Sequence, residues 1–276
     1  MTIRFDNISK IYGQDKACTR ALAMLRQNAP GDEIFQATGC QVGLRHITLE
    51  IPAGGIFCIM GLSGSGKSTL VRHINRLIEP SCGEIWVDGT NVTALGAKAL
   101  RDFRQQRVSM VFQHFGLLPH LTVLQNTEYA LRVRGLPPKT QHETARHWLN
   151  EVGLAGYEAS YPEALSGGMR QRVGLARALA SDTDIILMDE AFSALDPLIR
   201  TKLQDQLLDL QQRLRKTIVF ITHDIDEALK MGHCIAILKD GELVQSGTPQ
   251  TLLHRPADDY VAEFMRAAKV APVHKQ

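Results

Sequence analysis

Nine consecutive residues, Gly61-Leu62-Ser63-Gly64-Ser65-Gly66-Lys67-Ser68-Thr69, have the types and spacing to hold a polyphosphate. They satisfy the pattern G-x-x-x-x-G-K-[ST], in which glycines let backbone N–H groups close around phosphate oxygens. On this pattern Gly61, Ser63, Gly64, Ser65, Gly66 and Thr69 line the phosphates, and Lys67 reaches the β- and γ-phosphates. The Ser68 hydroxyl would ligate Mg²⁺. The ligand class is ATP or GTP.

A second group of chemistry-bearing residues is Asp189 and Glu190, which follow the apolar run Ile185-Ile186-Leu187-Met188. Ligands of open α/β sheets collect at the carboxyl ends of strands. Asp189 is therefore expected to hold Mg²⁺ through water, and Glu190 to serve as general base on an attacking water. A pair of solvated acids ending a strand is the plain alternative; it loses weight because the strand is apolar throughout and a phosphate loop is already present. A third group is Leu165-Ser166-Gly167-Gly168-Met169-Arg170-Gln171-Arg172, which opens a helix with free backbone N–H groups and a hydroxyl suited to phosphate. A serine cap with glycines in a turn explains the local conformation but not a second anion site.

The elements that must position these groups follow from periodicity and breakers. The run 55–60 reads as a buried strand, the phosphate loop follows it, and residues 70–78 read as a helix stopping near Pro80. Strands are also predicted over 3–11, 46–51 and 84–88. Between the first two of these, residues 17–27 and 32–38 read as helices separated by Pro30-Gly31. Residues 115–165 are mostly helical, with breaks at 135–138 and 153–156. Two very apolar strands, 184–188 and 217–221, are each preceded by a helix, 170–181 and 198–216. Near-continuous apolar strands alternating with helices predict a parallel sheet covered on both faces. Residues 235–238 and 242–245, joined by Asp240-Gly241, predict a hairpin.

Composition sets limits. The chain has 276 residues, 44% hydrophobic and 22% charged, values of a globular protein able to bury a core. Its net charge of +2 gives no argument for nucleic acid as a partner. No apolar run approaches the ~20 residues that span a bilayer, and the first residues carry no secretion signal. The five cysteines are scattered with no Cys-x-x-Cys pair, which predicts reduced thiols in the cytosol rather than disulfides or a zinc site. Of the ten histidines, all but His223 show no metal-ligand spacing and read as ordinary.

Taken in order, the phosphate loop, Gln113, Leu165-Ser166-Gly167-Gly168, Met188-Asp189-Glu190, Ser193-Ala194-Leu195-Asp196 and His223 resemble the ATPase subunit of ABC transporters, from Ile3 to about Gly247. The resemblance implies an α/β fold: a P-loop NTPase (RecA-like) parallel-sheet core with an antiparallel β subdomain and an inserted helical subdomain. It places an ATPase domain over 1–246, with a helical insertion at 14–43 and a helical subdomain at 115–168, and a short tail at 247–276. ATP and Mg²⁺ are the implied cofactors. Gln113 would touch Mg²⁺ or the attacking water, His223 the γ-phosphate, and Tyr12 would stack on adenine. Asp196 would communicate across a homodimer in which Ser166, Gly167 and Gly168 serve the partner's ATP.

The wording resembles one branch, the ATPases of glycine betaine, proline betaine and choline importers, through residues 59–68, 73–80 and 188–200. That branch implies a peripheral protein on the cytoplasmic membrane face. Two membrane permease subunits would dock near residues 113–118, with an extracytoplasmic substrate-binding protein engaged indirectly. The roughly thirty residues after Gly247 are too short for the paired regulatory domains of some osmotically regulated members, which favours nutrient uptake. A histidine or proline-type importer is the alternative cargo reading. DNA-repair or ribosome-associated relatives would need a long coiled coil or two ATPase cores, and a sensor that does not hydrolyse ATP would not need Glu190 and His223. The transported molecule never touches such a subunit, so its identity is not written in these residues.

Overall fold

Residues 2–113, 116–193 and 195–266 are described by a computed structural model. Met1, His114, Phe115, Ala194 and residues 267–276 lie outside the described residues. With them go the first residue of the expected helical section, the centre of the Ser193-to-Asp196 motif, part of the expected docking segment 113–118 and the end of the expected tail.

Alternation of apolar and polar side chains makes β1 (Ile3–Tyr12), whose Ile3, Phe5, Ile8 and Ile11 are buried. Two helices follow, α1 (Asp15–Arg26) and α2 (Gly31–Thr38), before β2 (Gln41–Ile51). Next come β3 (Ile56–Met60), buried at every residue, and α3 (Lys67–Ile74). The strands β4 (Cys82–Val87) and β5 (Thr90–Asn91) precede α4 (Ala97–Gln106) and β6 (Val108–Val111). Then come α5 (Val123–Val133), α6 (Pro138–Glu151), α7 (Gly167–Ala180), β7 (Ile185–Asp189), α8 (Pro197–Leu214) and β8 (Thr217–Ile221). The chain closes with α9 (Ile225–Met231), β9 (Cys234–Lys239), β10 (Glu242–Gly247), α10 (Pro249–His254) and α11 (Asp259–Arg266).

These elements form two compact units. The first is Met1–Ala53, Phe57–Gly96 and Ile221–Gln276; the second is Gly54–Ile56 and Ala97–Phe220. In the first, an antiparallel sheet runs in the order β2-β1-β4-β5, with Phe5 opposite both Leu49 and Ile85. Strand β9 lies between β3, to which it is parallel, and β10. The β9–β10 turn has Asp240 and Gly241 at φ 50° and 82°, the left-handed pair that a two-residue hairpin with native twist needs. The insertion has its own small core, in which Ala21 and Leu25 of α1 meet Ile34 of α2 and Cys40 beside Ile11. In the second unit the strand order is β8-β7-β6, and β6 runs parallel to β7 with Val111 opposite Met188. Helices α5, α6 and α7 pack on one another, and α7 also packs on β6. The helices expected as a subdomain over 115–168 thus share a compact unit with these strands.

Three elements differ from expectation for local reasons. Helix α3 ends at Ile74, not Ile78: the Asn75 side chain accepts from Leu77 N at 3.2 Å, and Arg76 turns left-handed at φ 50°. The Arg76 guanidinium then donates to Val92 O and Leu95 O at 2.9 and 2.7 Å and pairs with Glu79. A side chain that bonds nearby backbone offers the chain an alternative to helix. Strand β2 begins five residues before His46, because β1 runs on to Tyr12 and pairs it with Gln41. The described part of the expected tail is largely helical, in α10 and α11. Thr248 caps α10 ahead of Pro249, and Leu252, Val261 and Met265 are buried, with Val261 and Met265 at the i, i+4 spacing of one helix face.

Candidate nucleotide-binding site

Strand β3 delivers the chain at Met60 into a loop whose glycines are dictated by space. Gly61 sits at φ 147°, and a Cβ there would lie 2.2 Å from Leu238 O. Gly66 sits at φ 94°, with Gly43 O 2.7 Å from where its Cβ would be. Gly64, at φ 82°, has nothing within 4 Å of that position, so its backbone is open to a ligand. Gly66 is also the N-cap of α3 and gives it no side-chain cap. The helix's first N–H groups and its dipole are thus left for an anion.

Lys67 is 5% exposed, and its Nζ donates to Gly61 O and Leu62 O at 2.9 and 2.8 Å, so the ammonium lies over the loop. Ser65 Oγ is buried with no hydrogen-bond partner among the described residues, while Ser63 is exposed. The Tyr12 hydroxyl and Thr69 Oγ1 share a hydrogen bond of 3.1 Å. The Tyr12 ring is 40% exposed and lies against Gly43, where a Cβ would be 2.6 Å from Tyr12 Cε2. A core aromatic would be covered; this one is part exposed beside the loop, with Lys10 Nζ 5.1 Å from its ring centroid. Thr222 N donates to Ile59 O at 3.2 Å, which sets the exposed His223 at the carboxyl end of β3. Thr222 Oγ1 in turn donates to Glu227 at 2.5 Å.

One residue here escaped sequence reading. His73, on α3, is fully buried, its Nδ1 bonds Thr69 O, and burial pushes its pKa down to about 4. Because a carbonyl can only accept, Nδ1 carries the proton. Nothing in the residue types near His73 marks this, since it depends on what folds over the helix.

In the second unit, β7 ends in Asp189, which is 1% exposed. Glu190 follows at φ 46°, a left-handed backbone that costs a non-glycine residue about 1–3 kcal/mol. Its carbonyl is held by Ser193 N at 3.2 Å and Ser193 Oγ at 3.0 Å. Parallel pairing of Val111 with Met188 brings the residues two positions beyond them together, and Gln113 Nε2 donates to Glu190 Oε2 at 3.2 Å. At α7, Ser166 is an exposed N-cap accepting from Met169 N at 3.3 Å. Gly167 has open space around it, whereas a Cβ at Gly168 would lie 2.8 Å from Ile199 Cγ2. Asp196 caps α8 by accepting from Ile199 N at 3.0 Å, so it and Gly168 meet at one residue. The same unit carries a cleft of about 360 Å³ lined by Met110, Phe112, Leu118, Tyr129, Val133 and Arg177. Tyr129 and Val133 are 39% and 49% exposed, and Arg177 is fixed by donating to Gly116 O at 2.7 Å.

A buried strand, a loop that admits only glycine at two points and an uncapped helix start define an α/β protein of the phosphate-binding-loop class. A profile of the ABC transporter family matches residues 44–193, and the chain belongs to that family. It is 51% identical to the glycine betaine transport ATP-binding protein OpuAA of Bacillus subtilis (strain 168), over 98% of this chain and 64% of the relative. It is 49% identical to the glycine betaine/proline betaine transport system ATP-binding protein ProV of Escherichia coli (strain K12), over 98% of this chain and 67% of the relative. The chain thus spans about two thirds of the length of these curated relatives. A solved dimeric structure, the ATP-binding cassette MJ0796 in a post-hydrolysis state with ADP and Pi, matches with a TM-score of 0.76 and 32% identity. It covers 89% of this chain and 98% of its own.

Proposed function

We propose that the chain is the ATP-hydrolysing subunit of an ABC importer that takes up a quaternary amine such as glycine betaine, proline betaine or choline. The observation that carries the cargo reading is the near-full-length similarity of this chain to two transport subunits named for betaines. These relatives do not favour the alternative, a histidine or proline-type amino-acid importer. No helix among the described residues is long and apolar enough to cross a membrane; with the net charge of +2, the reading is a peripheral subunit on the cytoplasmic face that does not engage nucleic acid. The apolar cleft beside Met110 and Tyr129 suits an apolar segment of a membrane permease, two of which would serve a homodimer, with an extracytoplasmic substrate-binding protein engaged through them.

The backbone of residues 61–66, with Lys67 and Thr69, would hold the ATP phosphates, and Tyr12 would stack on adenine. Ser68, Gln113 and Asp189 offer hard oxygen donors. Such donors suit Mg²⁺, which keeps several waters and binds through one or two carboxylates plus substrate phosphates. When bound, the ion neutralises charge on the β- and γ-oxygens. Glu190, oriented by Gln113, takes the proton of the attacking water, and His223 contacts the γ-phosphate. Ser166, Gly167 and Gly168 would present their N–H groups to the partner's ATP, with Asp196 beside them. Catalysis is then mainly positioning and charge stabilisation.

Uptake of labelled glycine betaine, proline betaine, choline and histidine by cells lacking this chain tests the cargo. Loss confined to the quaternary amines, restored by the wild type and not by Glu190→Gln, is expected. Loss of histidine uptake alone would overturn the cargo reading and leave the ATPase intact.

A further inference from the structure

The inserted helices α1 and α2 carry no group assigned to nucleotide chemistry, yet β2 holds them beside the phosphate loop. Arg45 Nη2 donates to Ala29 O at 2.7 Å, and His46 Nε2 bonds Leu25 O at 3.2 Å. A carbonyl can only accept, so both side chains donate, as suits the last carbonyls of a helix. Arg45 reaches the β9–β10 hairpin as well. Its Nε lies 3.2 Å from Glu242 Oε1, and its backbone N donates to Gly241 O at 2.8 Å. The Arg45 side chain is largely covered, whereas Glu242 is exposed. One residue thus joins the end of α1, strand β2 and the hairpin turn.

The two residues before Arg45 are walls of the nucleotide site. At Gly66, the N-cap of α3, a Cβ would lie 2.7 Å from both Gly43 O and Leu44 Cδ2. At Gly43 it would lie 2.6 Å from Tyr12 Cε2, and at Gly241 it would lie 3.0 Å from Gly43 O. The last left-handed glycine of the loop and the Tyr12 ring are therefore seated on one dipeptide. Interiors packed this closely transmit strain from one group to the next, so a shift of Gly43-Leu44 moves the loop and the ring together.

We propose that the insertion is a strut for nucleotide binding and that Arg45 is its positioning residue. By tying the end of α1 to the hairpin turn, Arg45 holds Gly43-Leu44 where Gly66 and Tyr12 need them. The inference rests on the reading of residues 61–69 as an ATP site with Tyr12 at the base.

The test uses the purified full chain, with Kd for ATP by calorimetry, KM and kcat for hydrolysis, thermal unfolding, and amide hydrogen exchange with and without ATP. Arg45→Met keeps the stem and removes every side-chain donor. Kd and KM are expected to rise about 3–10-fold, the effect of one net hydrogen bond, with kcat within about twofold. Arg45→Lys, which keeps a donor for Ala29 O, should recover part of the affinity. Coupling between two sites is reciprocal. ATP should therefore slow exchange over residues 17–29 of the wild type by about the same factor, and not in Arg45→Met. Leu252→Ala, in the buried face of α10, should lower Tm and leave Kd unchanged. Wild-type ATP affinity in Arg45→Met overturns the inference. So does an equal loss of affinity in Leu252→Ala, which would make the effect one of general stability, or in Glu242→Gln, which would assign it to the hairpin alone. Exchange in the wild-type insertion that ignores ATP overturns it too, whether or not any variant folds. In each of those cases Lys67→Ala still abolishes binding, and the ATP site stands. If the wild type binds no ATP, the site reading itself fails and takes the inference with it.

Discussion

Glu190 holds a strained backbone, two bonds from Ser193 to its carbonyl and a hydrogen bond from Gln113 to its carboxylate. Asp88, Asp182 and Asp240 share the left-handed backbone, but Glu190 combines it with a carboxylate held at the end of a fully buried strand, as a group fixed for chemistry requires. Glu190→Gly would relieve the backbone while removing the carboxylate, and is expected to unfold at or above the wild-type temperature with turnover lost. A lower Tm would show that the backbone there is unstrained. Gly61→Ala is the opposite case. Its methyl would meet Leu238 O at 2.2 Å, so ATP affinity is expected to fall below detection in calorimetry; ordinary binding would refute the packing. His73 makes stability depend on pH. Its folded pKa of about 4 lies below the ordinary 6.5, so the folded state binds fewer protons and stability is full above 6.5 and falls as pH drops toward 4. At pH 5 the loss from this group is about 2 kcal/mol relative to pH 7, read by urea unfolding against His73→Asn, which should lack it. At this scale the phosphate loop was legible because its left-handed Gly61, Gly64 and Gly66 fall at set spacings, and the Ser166-Gly167-Gly168 segment because a serine followed by glycines opens a helix. His73 and the Ser193 bonds were not, because they depend on neighbours distant in sequence or on a local backbone no residue type announces.

Strands and helices were legible where one principle dominates. The uniformly apolar β7 and β8 and the Asp240-Gly241 hairpin follow their patterns closely. Boundaries failed where a side chain competes with the backbone, as Asn75 does at the end of α3, and where pairing extends a strand, as Tyr12 does for β2. The helices α10 and α11 went unread because they are short, and short helices are held by packing rather than propensity. The insertion is the element most open to a stability test. Leu25 is completely buried among Ile11, Ala21, Ile34 and Cys40, so Leu25→Ala is expected to cost about 2–5 kcal/mol, cavity included. Denaturant unfolding with a change under 1 kcal/mol would show that α1 does not belong to the cooperative core.

For the whole molecule, the α/β class and family were legible because several spaced motifs occur in one order along the chain, a coincidence that composition alone could not produce. The division into two compact units was not, since it follows the contacts of strands that periodicity cannot assign to partners. Activity is proposed for a two-fold assembly in which each chain lends Ser166, Gly167 and Gly168 to the other's ATP. Such an assembly is closed by a two-fold axis and holds two equivalent sites. The most direct measurement is on Glu190→Gln, comparing ATP binding, steady-state hydrolysis and mass in solution with and without ATP. Loss of a positioned general base lowers turnover by about 10²–10⁴-fold. The account predicts ATP affinity within a few-fold of wild type, hydrolysis reduced by that factor, and an ATP-dependent dimer. Wild-type turnover in this variant, or a chain that stays monomeric with ATP bound, would contradict it.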